Sequence, residues 1–167
     1  IGDMADIRTV EALRQSIRRM TTLLEAKPSV VACDLHPRYN TTAVAHELGL
    51  PVVAVQHHYA HILSCMAEND WEEPVIGIAF DGTGYGTDGT IWGGEVLVSD
   101  VHGFQRSASI QPFWQRGGDA SAREGWRIAV RLIDSLQKDR SQAASMIEAL
   151  HLCSEAERQA QFFLADQ

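Results

Sequence analysis

The chain has 167 residues, 45% of them hydrophobic, with a formal net charge of −8 and a pI near 5.3. That length suffices for one domain with a real core, and an acidic chain without a basic cluster argues against direct nucleic-acid binding. No apolar run approaches the roughly 20 residues of a membrane span, Ile1 to Thr9 does not read as a secretory leader, and three cysteines (Cys33, Cys65, Cys153) without a Cys-x-x-Cys pair exclude a disulfide framework and a thiolate zinc site.

A reducing, cytoplasmic location is the expectation. In chain order, Ile7 to Ala26 is a helix, with Val10, Leu13, Ile17, Met20, Leu23 and Leu24 forming one apolar stripe that ends before Pro28. Val30 to Cys33 is a short buried strand, and Cys33 is expected to sit in it as a small hydrophobe. Asp34 to Asn40 is a loop holding Pro37. Thr41 or Thr42 caps a helix through Leu48, closed by Gly49. Val52 to Val55 is a second buried strand, so strand, helix and strand predict a right-handed parallel crossover.

The next helix opens at His57 or His58 and runs to about Asn69. Val75 to Phe80 is a strand, Gly82 to Thr90 a glycine-rich turn with Asp88-Gly89 at its tip, and Ile91 to Ser99 and Gln105 to Ile110 are further strands of an antiparallel meander. Gln111 to Asp119 is a loop. Helices over Ala120–Gln137, Ser141–Leu150 and Ser154–Leu164 complete an α/β chain with a mixed sheet and a helical C-terminal part. It is read as a single partial domain, an α/β lobe over 1–119 followed by a helical segment over 120–167.

Four runs carry candidate chemistry. His57 and His61 stand four apart at the start of a helix, which puts both imidazoles on one face, suited to zinc or iron. They follow a parallel strand, and open α/β sheets bind ligands at that edge. The plain alternative is a surface helix with histidines by chance; His58 is extra. Phe80-Asp81-Gly82-Thr83-Gly84-Tyr85-Gly86 ends a strand in a carboxylate and then alternates glycines, so that N–H groups could approach an anion. Asp81 could hold a metal and Thr83 could reach a phosphate; a long glycine-rich hairpin is the other reading. Gly117-Gly118-Asp119 is either an anion contact at a helix start or an N-cap. His36, in Asp34-Leu35-His36-Pro37, either lines the cleft or belongs to a turn.

In this order, Asp34-Leu35-His36-Pro37-x-Tyr39, Val55-Gln56-His57-His58-x-Ala60-His61, Phe80 to Gly86, Ile91-Trp92-Gly93-Gly94-Glu95 and Gly117-Gly118-Asp119 strongly resemble the HypF family of hydrogenase maturation carbamoyltransferases. Ile1-Gly2-Asp3 also matches that family, and the likeness runs to about Arg127. The resemblance implies the C-terminal catalytic region, similar to the tRNA threonylcarbamoyladenosine synthase, in a ribonuclease H/actin-like (ASKHA) lobe that is incomplete here. It implies a divalent metal, zinc or iron, on His57, His61 and Asp81. It also implies ATP and carbamoyl-adenylate at Gly82, Thr83, Gly84, Gly86, Gly117, Gly118 and Asp119. The implied reaction moves a carbamoyl group to the C-terminal cysteine of a HypE-type maturation protein, on the way to the cyanide ligand of nickel–iron hydrogenase.

The acylphosphatase-like segment, zinc-finger cysteines, adenylate-forming domain and second actin-like half are missing from the sequence. The chain is therefore expected to work with the rest of the same enzyme, to be inactive alone, and to be open to self-association through exposed apolar surface. Gln115-Arg116 replaces the usual Leu-Pro, and Gly125 stands where Pro is common. The competing readings are a metal- and ATP-dependent tRNA threonylcarbamoyl transferase and a non-catalytic nucleotide-binding or docking module.

Overall fold

The computed structural model describes residues 2–114 and 117–166. Ile1, Gln115, Arg116 and Gln167 lie outside the described residues, as do the side chains of Asp119 and Ala122; the Ile1 match, the Gln115-Arg116 departure and the Asp119 side-chain contact fall on these positions. The chain forms two compact units, residues 1–110 and 111–167.

In the first unit, α1 (Ile7–Leu23) begins at Asp6, whose carboxylate accepts the Arg8 N–H, and stops where Glu25 turns left-handed. β1 (Val31–Asp34), α2 (Asn40–Glu47) and β2 (Val52–Val55) make the expected crossover, with β1 and β2 parallel and Asp34 opposite Val55. Two expectations fail here. The cap of α2 is Tyr39, without a side-chain hydrogen bond, because the Thr42 hydroxyl is drawn inward to donate to the His36 carbonyl at 3.0 Å. Nor are β1 and β2 buried on both faces: Val53 is 51% exposed and Cys33 half-buried. A parallel pair needs cover on each face, and the pair itself has only two strands.

The helix α3 (His57–Glu68) leads into an antiparallel meander of β3 (Val75–Tyr85), β4 (Ile91–Ser99) and β5 (Phe104–Ser109), in the order β3-β4-β5. The parallel and antiparallel strands are thus two hydrogen-bonded sheets within one α/β unit. The core lies between α3 and the meander and gathers Tyr59, Ile62, Met66, Ala79, Trp92 and Leu97. Gly77 lets β3 lie directly against Ile62, since any Cβ there would overlap that side chain.

β3 is longer than its sequence suggests. Asp81 to Tyr85 reads as turn, yet Gly84 and Tyr85 pair with Trp92 and Ile91. The register holds through Phe80↔Gly94 and resumes at Gly84↔Trp92, so Asp81, Gly82 and Thr83 face Gly93 alone. This is a bulge, which re-aims side chains while keeping the strand paired.

The second unit holds α4 (Asp119–Arg123), α5 (Gly125–Leu136), α6 (Arg140–Ala149) and α7 (Glu155–Ala165). The sequence predicts one helix over Ala120–Gln137; it is broken at Glu124, whose backbone is non-helical (φ −112°, ψ 77°) and caps α5 ahead of Gly125. Val130, Ala143, Ile147 and Phe162 form its core. Ser154 and Glu157 cap α7 reciprocally.

Candidate metal centre

β2 ends at Val55, and the next residue, Gln56, begins α3. Its side-chain oxygen accepts the Tyr59 N–H at 2.9 Å, satisfying one of the free donors of the first helical turn. The same amide donates to the Tyr85 carbonyl and lies 3.3 Å from His58 Nδ1. This buried side chain therefore ties the start of α3 to the far end of β3. The helix carries His57 and His61 on one face, and the bulge carries Asp81.

These three converge. His57 Nε2 lies 2.5 Å from Asp81 Oδ2, His61 Nε2 lies 3.3 Å from His57 Nε2, and His61 Nε2 lies 3.5 Å from Asp81 Oδ2. One donor atom from each residue falls within 4.8 Å of the others, and this is the cluster of metal-ligating side chains among the described residues. A tetrahedral ion bound at about 2.0–2.2 Å holds its ligand atoms roughly 3.3–3.6 Å apart. Two edges of the triangle already have that length; the third is at hydrogen-bonding distance. Two imidazoles and a carboxylate, with a further position open, match the donor set of catalytic zinc and of facial-triad iron sites.

Asp81 is kept ionised. The Gly82 N–H donates to its Oδ1 at 2.7 Å, and this bond, opposed by burial and helped by His57, holds the carboxyl below its ordinary pKa. His58 points away from the cluster into the core, where burial pushes its pKa below the ordinary imidazole value. His36 belongs to the turn: its N–H donates to Asp34 Oδ1 at 2.7 Å, its Nδ1 accepts from the Arg38 N–H, and its ring stacks on Tyr39 with centroids 4.0 Å apart.

The glycine-rich run is only partly available to an anion. The Gly82 N–H is taken by Asp81, and the Gly86 N–H donates to the Thr90 carbonyl at 2.8 Å. Gly84 is buried under the His58 ring, while Thr83 is exposed at the bulge. Gly117, Gly118 and Asp119 belong to the second unit, where Gly118 rather than Asp119 is the N-cap of α4; the cluster itself is built from the first unit alone. An apolar groove of about 740 Å³ runs along α3 and β3 from Trp71 to His61 and Asp81.

Asp34 was missed as a site residue. Its Oδ2 lies 3.2 Å from His57 Nδ1. A carboxylate at the end of one parallel strand, beside a neighbour that runs straight into the histidine pair, was the available clue. The Trp92-Gly93-Gly94-Glu95 run supports the bulge from the other strand. Gly93 lies under the Asp81 and Gly82 carbonyls, and buried Glu95 accepts from Gly93 and from Arg106, at 2.6 Å for the latter.

Two family models cover most of the chain: the HypF Kae1-like domain matches residues 1–68, and the carbamoyltransferase Kae1-like domain, second subdomain, matches residues 77–166. The carbamoyltransferase HypF of Rhizobium leguminosarum bv. viciae is 42% identical over 135 residues, 81% of this chain and 18% of that protein. Its Synechocystis counterpart is 44% identical over 134 residues, 80% of this chain and again 18% of the relative. A crystal structure of full-length HypF in a phosphate- and nucleotide-bound form superposes with a TM-score of 0.76 at 38% identity, covering 89% of this chain and 21% of the other. A crystal structure of T. kodakarensis HypF gives a TM-score of 0.71 at 39% identity, covering 80% of this chain and 18% of the other. The chain thus spans about a fifth of the length of these relatives, and it belongs to the HypF family.

Proposed function

We propose that this chain supplies part of the carbamoyl-transfer centre of a larger cytoplasmic HypF-type enzyme. The observation that carries this reading is the convergence of His57, His61 and Asp81 at one point, in a chain whose relatives bear the name carbamoyltransferase. The ion is a divalent metal, zinc or iron, held by those three side chains. The donor is carbamoyl-adenylate, made from carbamoyl phosphate and ATP elsewhere in the enzyme. The acceptor is the C-terminal cysteine of a HypE-type maturation protein, and the carbamoyl group goes on to the cyanide ligand of nickel–iron hydrogenase.

In the transfer, the thiolate sulfur attacks the carbamoyl carbon. The thiol has given its proton to solvent before the attack; the bond from that carbon to the phosphate oxygen then breaks, and AMP leaves with the electron pair. When bound, the ion supplies Lewis acidity at the carbamoyl oxygen. His57 and His61 present their Nε2 atoms from a single helical face, which fixes their separation. Asp81 stays a carboxylate because the Gly82 N–H favours its charged form. The exposed Thr83 hydroxyl is the proposed phosphate contact of the glycine-rich run, since the Gly82 and Gly86 N–H groups are already engaged.

The test is Zn²⁺ and Fe²⁺ uptake by the purified chain against a competing chelator, together with the transfer reaction of the longer enzyme. His57→Ala with His61→Ala should abolish uptake, and Asp81→Ala in the longer enzyme should slow transfer by ~100-fold or more. Uptake that survives the double histidine substitution removes the metal from the proposal. Carbamoyl transfer by the 167-residue chain alone would show that the remainder of the enzyme is not needed.

A further inference from the structure

Asp34 closes β1, and each of its carboxylate oxygens has a separate partner. Oδ1 accepts the His36 N–H at 2.7 Å, and Oδ2 lies 3.2 Å from His57 Nδ1. The opposite ring nitrogen, Nε2, is the one that faces Asp81 and His61. Strand pairing sets this arrangement. Asp34 is in register with Val55, the Leu35 N–H donates to the Val55 carbonyl at 2.9 Å, and only Gln56 stands between Val55 and His57. The distance from carboxylate to imidazole is therefore fixed by the parallel ladder and by the His36-Pro37 turn, not by a free side chain.

We infer that Asp34 is a positioning residue that holds the His57 proton on Nδ1 and so leaves the Nε2 lone pair directed at the ion; this rests on the metal reading of the cluster. A neutral imidazole has one proton and two nitrogens, and the hydrogen bond made by one nitrogen decides which of them is free to ligate. A carboxylate only accepts, so with the Nε2 side given over to an ion, or with the Asp81 carboxylate removed from it, Asp34 at Nδ1 selects the Nδ1–H tautomer. It also restricts rotation of the ring, which keeps Nε2 over the Asp81 carboxylate.

Asp34→Asn isolates this role. The His36 N–H needs an acceptor, so the amide oxygen takes the place of Oδ1 and the turn survives. The amide NH₂ is then forced toward His57 Nδ1, which must accept. The proton moves to Nε2, the atom that should ligate, as an Asp-to-Asn change beside an imidazole does in hydrolytic triads. The expected result is Zn²⁺ affinity weakened 10- to 100-fold, about the usual loss for a residue that orients a ligand, with the melting temperature of the metal-free chain unchanged. Because the Asp81 carboxylate also accepts at Nε2 when no ion is bound, the tautomer is read in an Asp81→Ala background: long-range ¹H–¹⁵N spectra at about pH 8.5, where a free imidazole is neutral, should show Nδ1–H at His57 with Asp34 and Nε2–H with Asp34→Asn. Asp34→Ser, whose hydroxyl can serve the turn and stops short of His57, should lose the tautomer preference and weaken Zn²⁺ binding to a smaller degree.

The same His57 tautomer with Asp34 and with Asp34→Asn, both in the Asp81→Ala background, overturns the inference whatever the affinity of the single variant does. A switched tautomer with unchanged Zn²⁺ affinity overturns its link to the ion. A parent chain that takes up no Zn²⁺ counts against the metal reading instead, and the tautomer comparison alone then decides the role of Asp34.

Discussion

The two glycine-rich segments look alike in sequence and are glycine for different physical reasons. In the first unit, Gly84 and Gly86 have no left-handed backbone; each lies where a Cβ would strike a buried ring. In the second, Gly118 has nothing near its missing Cβ but adopts φ 53°, ψ −134°, a conformation L side chains rarely reach. The first pair marks a close approach between elements, and the other marks a chain reversal before a short helix. A glycine motif therefore does not by itself announce a phosphate cradle, and a graded set of alanine substitutions separates the two causes.

Gly86→Ala should have the largest effect. Its Cβ would overlap the Trp92 indole and the Asp88 carboxylate, which are hydrogen-bonded to each other at 3.0 Å, and Trp92 is buried in the core. Neither neighbour can yield without giving up that bond, so the loss should be about 3 kcal/mol or more, read by chemical denaturation. A loss under about 1 kcal/mol would mean the turn relaxes and the close approach is incidental.

Gly84→Ala sharpens the comparison because it couples packing to the site. The added methyl would sit 2.7–2.8 Å from the His58 ring and 2.9 Å from His57 Cβ. It should cost about 1–3 kcal/mol and also weaken Zn²⁺ binding by pushing α3 away from the bulge that carries Asp81. Chelator competition on the folded variant checks the second effect; full affinity would show that the cluster does not depend on this contact.

How much of this was legible in the sequence follows the same division. β1, β2 and the first half of β3 were readable because runs of branched apolar residues leave few alternatives, and α3 was readable from the change of pattern after Val55. The pairing of His57, His61 and Asp81 as one site came from the family resemblance. What escaped is what depends on a partner strand. Asp81 to Tyr85 has the composition of a turn, and only β4, with Gly93 opposite the bulge, makes it strand. The Thr42 cap failed because the His36 carbonyl competes for its hydroxyl. Asp34 is hidden beside the more conspicuous His36, since nothing local shows that the strand pairing sets its carboxylate against His57.

Gly118→Ala tests the other side of the comparison. With nothing within 4 Å of its Cβ, sterics from neighbours should cost nothing, and the strained φ should cost about 1–3 kcal/mol. The effect should be the same for any L residue and should leave the Zn²⁺ affinity untouched. Alanine and serine variants that differ by more than about 1 kcal/mol would indicate a side-chain contact rather than backbone strain.

Gly82→Ala should have the smallest effect of the series. It is the one glycine of the run with neither a positive φ nor an atom within 4 Å of its Cβ, and its N–H, which the substitution keeps, already serves Asp81. Folding gives no reason for glycine at this position, so the stability change should stay within about 0.5 kcal/mol and Zn²⁺ binding should hold. A requirement for glycine here would then have to come from a molecule approaching the bulge. In the longer enzyme, Gly82→Ala should raise the KM for the carbamoyl donor while melting temperature and metal content stay at parent values. Parent kinetics would mean that no molecule comes close enough to the bulge to need glycine at this position, and the exposed Thr83 hydroxyl would remain the proposed phosphate contact.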